Sequence, residues 1–184
     1  MGKPCMDKRM DKHDCAMDRA PARMLAYSIA AALFALDRIT KVIITSYVSI
    51  YDTRTVIPGF FNIVHTENPG AAFSLFSGAP SAWRTFFLVA LSTVALVVIA
   101  AMIWRMHGRA DEGRYIRLGL ALILGGALGN VYDRIVHGTV TDFLELYYRG
   151  FSWPAFNVAD SAITIGVGLV MLDMFLNRHA PRTT

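Results

Sequence analysis

Residues Ser81 to Trp104 read SAWRTFFLVALSTVALVVIAAMIW, an apolar run whose sole charge, Arg84, stands near its start. A helix rises about 1.5 Å per residue, so roughly 20 apolar residues cover the hydrocarbon of a bilayer, and this run is long enough. Three more stretches approach that length: Met24 to Val48, Ile116 to Ile135 and about Ala159 to Phe175. The pattern predicts four crossings and a mainly α-helical, polytopic membrane protein. Composition agrees, with 54% of the 184 residues hydrophobic and only 17% charged, and a mean hydropathy of +0.41. That is too oily for an average soluble domain and too rich in large aliphatics for disorder. Both cysteines, Cys5 and Cys15, lie in a polar stretch, which sets aside a disulfide framework or a thiol nucleophile in the apolar body.

The net charge of +4 is informative only through its placement. Residues 1–23 carry six Lys and Arg, the segment Arg105 to Arg117 carries four, and Arg178 and Arg182 follow the last span. Segments 49–80 and 136–158 carry one each, Arg54 and Arg149. Basic residues that alternate sides in this way follow the positive-inside rule rather than marking a nucleic-acid surface. Both ends of the sequence are therefore expected in the cytoplasm, with 49–80 and 136–158 facing outward. The expected organisation is a polar tail over 1–23, a membrane domain over 24–178 and a short tail over 179–184.

The outward segments carry their own signals. Residues 55–65 (TVIPGFFNIVH) mix β-branched and aromatic residues around Pro58-Gly59 and predict short strands at the outer interface. Segment 136–158 holds Phe143, Tyr147, Tyr148, Phe151 and Trp153, an aromatic content suited to the headgroup region.

Ionisable groups in a span cost roughly 2.5 to 3.5 kcal/mol each on insertion scales and draw attention for that reason. Asp37 and Lys41 are spaced i, i+4, share a helix face and are expected to neutralise each other as a support for packing. Gly125 and Gly129 form a GxxxG pair that permits close helix contact. Gly126, Asn130, Asp133 and Arg134 fall on neighbouring parts of one face near the outer end of the third span. For Asn130 and Asp133, a hydrogen-bonded plug between helices competes evenly with a functional role. Asn157 is the expected N-cap of the fourth helix, with Asp160 at the third helical position.

Asp142 changes the weight given to Asp160. The topology puts it on the same outer side and at the same depth, 18 residues earlier, a separation compatible with a return hairpin. Two carboxylates held together cannot readily both ionise, so they share a proton and act as acid and base on water attacking an amide. Alternatives are weaker. No HExxH or CxxC occurs, and the outward set His65, Glu67, His137 and Asp142 has no metal-ligand spacing, so neither a metal nor another cofactor is expected. A proton-conducting relay through Asp37, Lys41, Asp133 and Asp160 is disfavoured because the acids cluster toward one face.

Four blocks carry a resemblance: Asp37 to Lys41 (DRITK), Asn68 to Ser74 (NPGAAFS), Gly125 to Phe143 (GGALGNVYDRIVHGTVTDF) and Phe156 to Ile163 (FNVADSAI). In that order, over about Leu25 to Leu176, the chain resembles the lipoprotein signal peptidases (signal peptidase II), membrane aspartyl peptidases of bacteria. The resemblance implies that Asp142 and Asp160 are the catalytic pair, and that Asn68, Asn130, Arg134 and Asn157 hold the carboxylates or contact the substrate backbone. It assigns Asp37 and Lys41 to supporting the first span, and Asp133 is given a structural role through local pairing beside Arg134. It further implies a four-helix bundle with a small outer β-sheet and a loop that closes over the site. The implied substrates are prolipoproteins cut before a diacylglyceryl-cysteine at the outer face of the inner membrane. Membrane phospholipid and globomycin-type inhibitors are the other expected partners. Pro69 after the asparagine is less usual for the family, and 1–23 fall outside the resemblance.

Overall fold

The computed structural model describes residues 20–70, 81–106 and 113–177. Both cysteines, Ala71 to Ser74 of the second block, and His13, His107 and His179 lie outside the described residues. Four helices are present: α1 (Ala20–Tyr47), α2 (Ser81–Arg105), α3 (Arg114–His137) and α4 (Val158–Leu176). Between α1 and α2 lie strands β1 (Thr53–Ile57) and β2 (Phe61–Asn68), and between α3 and α4 lie β3 (Val140–Tyr148) and β4 (Phe151–Ser152). The strands form one antiparallel sheet in the order β1-β2-β3-β4. Gly59, in the turn between β1 and β2, has φ +79°, as the Pro58-Gly59 dipeptide led one to expect.

Helix α3 is the hub and packs against each of the other three helices. Small residues allow this. A Cβ on Gly125 would meet the Ala30 backbone of α1, and one on Gly129 would meet the Asp37 carboxylate, so the GxxxG face lies on α1. Lower in the bundle Ala26, Ala30, Ile103, Leu120, Ala121 and Leu124 form an apolar core. At the sheet end Ile44, Val48 and Phe143 form a second one. The outer surface of the bundle is apolar instead of polar: Trp83 is 67% exposed, Val97 64% and Phe175 68%. Exposed aliphatic and aromatic faces of that extent belong in lipid.

Among the described residues three helices are long and apolar enough to cross a membrane: Ala82–Arg105, Arg114–His137 and Val158–Leu176. Helix α1 has the length, at 28 residues, but carries Asp37, Arg38 and Lys41 in its C-terminal half. Helix α3 ends at Gly138, whose φ of +81° is open to glycine at little cost and whose N–H donates to Arg134 O at 3.1 Å. The chain turns there directly into β3, which sets Asp142 beside the sheet end of the bundle.

Candidate active site

Asp142 stands in the first half of β3, where Val140, Thr141, Asp142 and Phe143 are all buried. Its neighbour in register on β2 is Thr66, and Asn68 on the same strand pairs with Val140. Two amides bind its carboxylate: Asn68 Nδ2 donates to Oδ2 at 2.9 Å and Asn157 Nδ2 to Oδ1 at 2.7 Å. Burial pushes the Asp142 carboxyl up to about 6, with the nearby charge of Asp160 adding to the rise while the Asn68 and Asn157 amides oppose it.

Asp160 comes from the first turn of α4. Asn157 is the N-cap, its Oδ1 accepting from Asp160 N at 2.9 Å, and Asp160 Oδ2 accepts from Asn157 N at 3.3 Å. This reciprocal arrangement is a capping box, and it fixes the Asp160 side chain at the helix mouth. Asp160 Oδ1 accepts from Asn130 Nδ2 at 2.7 Å. Asn157 thus bridges the two acids: its side-chain nitrogen serves Asp142, and its backbone nitrogen serves Asp160.

Beneath this pair lies a charged cluster. Lys41 Nζ is 2.9 Å from Asp37 Oδ2, 2.7 Å from Asp133 Oδ2 and 3.2 Å from Asn130 Oδ1. Its three hydrogens are all engaged. Asp37 Oδ1 accepts from Ala159 N at 3.1 Å, satisfying a free amide of the first turn of α4. Arg38 pairs with Asp133 Oδ1 and lies 4.5 Å from the Tyr132 ring centroid. Asp133 therefore pairs with Arg38 and Lys41 of α1, and its other neighbour is His137, at 3.7 Å. The local pairing expected for Asp133 is with His137, one turn on, rather than with the adjacent Arg134, because neighbouring helical residues point about 100° apart.

The sequence-derived residues are thus gathered into two linked groups. Asn68, Asn130, Asn157, Asp142 and Asp160 form one, and Asp37, Lys41 and Asp133 form the other. Arg134 lies at the margin: its Nη1 reaches Asn130 O at 3.5 Å and its buried Nε has no hydrogen-bond partner. The outward set His65, Glu67, His137 and Asp142 does not meet at one point, although His65 Nε2 lies 3.3 Å from Glu67 Oε1. His65 Nδ1 contacts Val48 O at 2.7 Å, and His137 sits by Asp133 rather than near Asp142. Glu67 accepts from Thr139 at 2.5 Å and from Thr141 at 3.0 Å. Glu67 is the residue that sequence reasoning undervalued, since it pins the strand segment on both sides of Val140 and so locates Asp142. Thr-x-Thr beside an acidic strand partner was the available signal.

Buried acids at the edge of a lipid-facing bundle define a class, the membrane-embedded aspartic-type peptidases, and comparison with known proteins points the same way. The family model for Signal peptidase (SPase) II matches residues 29–176. The chain is 53% identical over 152 residues to the lipoprotein signal peptidase of Solibacter usitatus, covering 83% of this chain and 91% of that one. It is 44% identical over 149 residues to that of Alteromonas mediterranea, covering 81% and 79%. A solved bacterial membrane enzyme determined by the in meso method at 2.3 Å resolution superposes with a TM-score of 0.73 at 30% identity, over 87% of this chain and 93% of the other. The chain belongs to the signal peptidase II family.

Proposed function

We propose that this chain removes signal peptides from prolipoproteins by acid–base catalysis on the pair Asp142 and Asp160. Family membership carries the reaction class, and the observation that carries the residue assignment is the sharing of Asn157 between two acids, neither of which has a hydrogen-bonded cation among the described residues. An aspartate that holds its proton up to about pH 6 next to a second carboxyl suits one ionised and one protonated member. The ionised member draws a proton from water. That water attacks the scissile carbonyl, while the protonated member donates to the carbonyl oxygen and, on collapse, a proton passes to the leaving nitrogen. No covalent intermediate is required. Asn68, which also holds Asp142 through its amide, and Arg134 orient the substrate carbonyls. Asn130 and Asn157 hold the carboxylates.

The proposed setting is the bacterial inner membrane, with α1 as a fourth span, both ends of the chain cytoplasmic and the sheet and acid pair on the periplasmic side. Burial of Asp37 and Lys41 against α3, with Leu36, Ile39, Val42 and Ile43 turned outward, supports α1 as a span despite its charges. The substrate's diacylglyceryl chains then remain in the bilayer while its signal helix packs on the bundle, and globomycin-type inhibitors occupy the same place. The test is cleavage of a diacylglyceryl-modified prolipoprotein by the purified protein in detergent, with and without a chelator. Asp142→Asn and Asp160→Asn are expected to abolish cleavage and the chelator to leave it intact. Loss in chelator with active variants would overturn the assignment.

A further inference from the structure

A cavity of about 700 Å³ opens between the first turns of α2 and the end of α3, outside the acid pair. Its described lining includes Arg84, Arg134 and His137, and no carboxylate. Arg84 Nε and Arg134 Nε are both buried without a hydrogen-bond partner. Arg134 has the charges of Asp160, Asp142 and Asp133 near it, whereas no carboxylate among the described residues pairs with Arg84, so the space carries an excess of positive charge that an anion would complete. The cavity continues into an apolar strip: Phe86 is 66% exposed and Ile135 65%. A small solvated anion would leave that strip unused.

We propose that this cavity binds the phosphodiester headgroup of an anionic phospholipid, held by Arg84 and Arg134, with an acyl chain along Phe86, Val89 and Ile135. Arg84 is one turn into α2, the depth at which a lipid phosphate meets a span, and Trp83 beside it is an interfacial residue type. Since Arg134 also borders the acid pair, headgroup and substrate compete for its donors. The inference rests on the outer placement of the start of α2 and not on the catalytic assignment.

The experiment is titration of the full chain in nonionic detergent with phosphatidylglycerol, read by native mass spectrometry, against phosphatidylcholine with identical chains and against inorganic phosphate. Wild type is expected to bind phosphatidylglycerol at least fivefold more tightly than Arg84→Gln does, with Arg84→Lys between them. Among the described residues Arg84 has no hydrogen-bond or ion-pair partner to lose, so both variants are expected to fold. Equal binding by wild type and Arg84→Gln would overturn the site. Phosphatidylcholine bound as tightly as phosphatidylglycerol would overturn the charge argument, and displacement of the lipid by equimolar phosphate would make this a soluble-anion site. The same titration on Asp142→Asn is expected to match wild type. A failed headgroup titration thus leaves the peptidase assignment standing, and a failed peptidase assay leaves this site standing.

Discussion

Two groups of acids adjoin in this molecule and are treated in opposite ways. Asp37 and Asp133, 0% and 1% exposed, are neutralised by Lys41 and Arg38 and form the joint between α1, α3 and α4. Asp142, 2% exposed, and the half-buried Asp160 receive amide donors instead. A cation bound to a carboxylate ties it into a structural pair. An amide orients a carboxylate without supplying a counter-charge. The difference teaches that the fold separates acids that hold helices together from acids kept available for proton transfer, with Asn130 bonded to Asp160 of one group and to the Lys41 that neutralises the other.

The sharpest way to break this comparison is to measure activity and stability on the same variants. Asp142→Asn and Asp160→Asn are expected to lower kcat/KM by a factor of about a thousand or more, on the order of 4 kcal/mol, in protein that remains folded. Lys41→Met is expected to do the reverse, costing about 3 kcal/mol of stability by leaving buried Asp37 unpaired and Asp133 with Arg38 as its remaining cation. Its readout is the denaturation midpoint in detergent, and an unchanged midpoint would dissolve the distinction between the groups.

A smaller effect has the opposite sign. The folded-state pKa of Asp142, about 6, lies above the ordinary 3.8, so its stabilising contribution is complete below 3.8 and is lost as pH rises through 6. At pH 7.5 Asp142→Asn is therefore expected to be more stable than wild type by about 1 to 2 kcal/mol, after loss of one hydrogen bond is allowed for. That advantage should vanish near pH 4. The smallest expected effect concerns Asn68, whose amide favours the ionised form of Asp142. Asn68→Ala removes that influence, so the alkaline limb of kcat/KM, expected near pH 6, should move to higher pH. A shift to lower pH would contradict the proton assignment.

Much of this was legible beforehand, for reasons that differ by region. Helix bounds follow from apolar run length, and α2 was expected over Ser81 to Trp104 and is found over Ser81–Arg105. The N-cap at Asn157 is a local signal read from a local pattern. The strand β3 was less visible, because Val140 to Phe143 is buried without alternation and so lacks the period of two that marks a half-exposed strand. The partners of Asp133 were hidden for another reason: Arg38 lies 95 residues away, and no spacing rule reaches that far. Arg84 was passed over as a lone charge near the start of a clean span, since its significance depends on what α3 places opposite it.

Pro69 follows the asparagine that holds Asp142, and this has a chemical consequence over the lifetime of the molecule. Asparagines commonly age when the next backbone nitrogen attacks the side-chain amide and closes a succinimide ring. A proline nitrogen carries no hydrogen, so that route is closed at position 68. Conversion to aspartate there would set a third negative group against the pair, and the imino acid beside it guards against that damage.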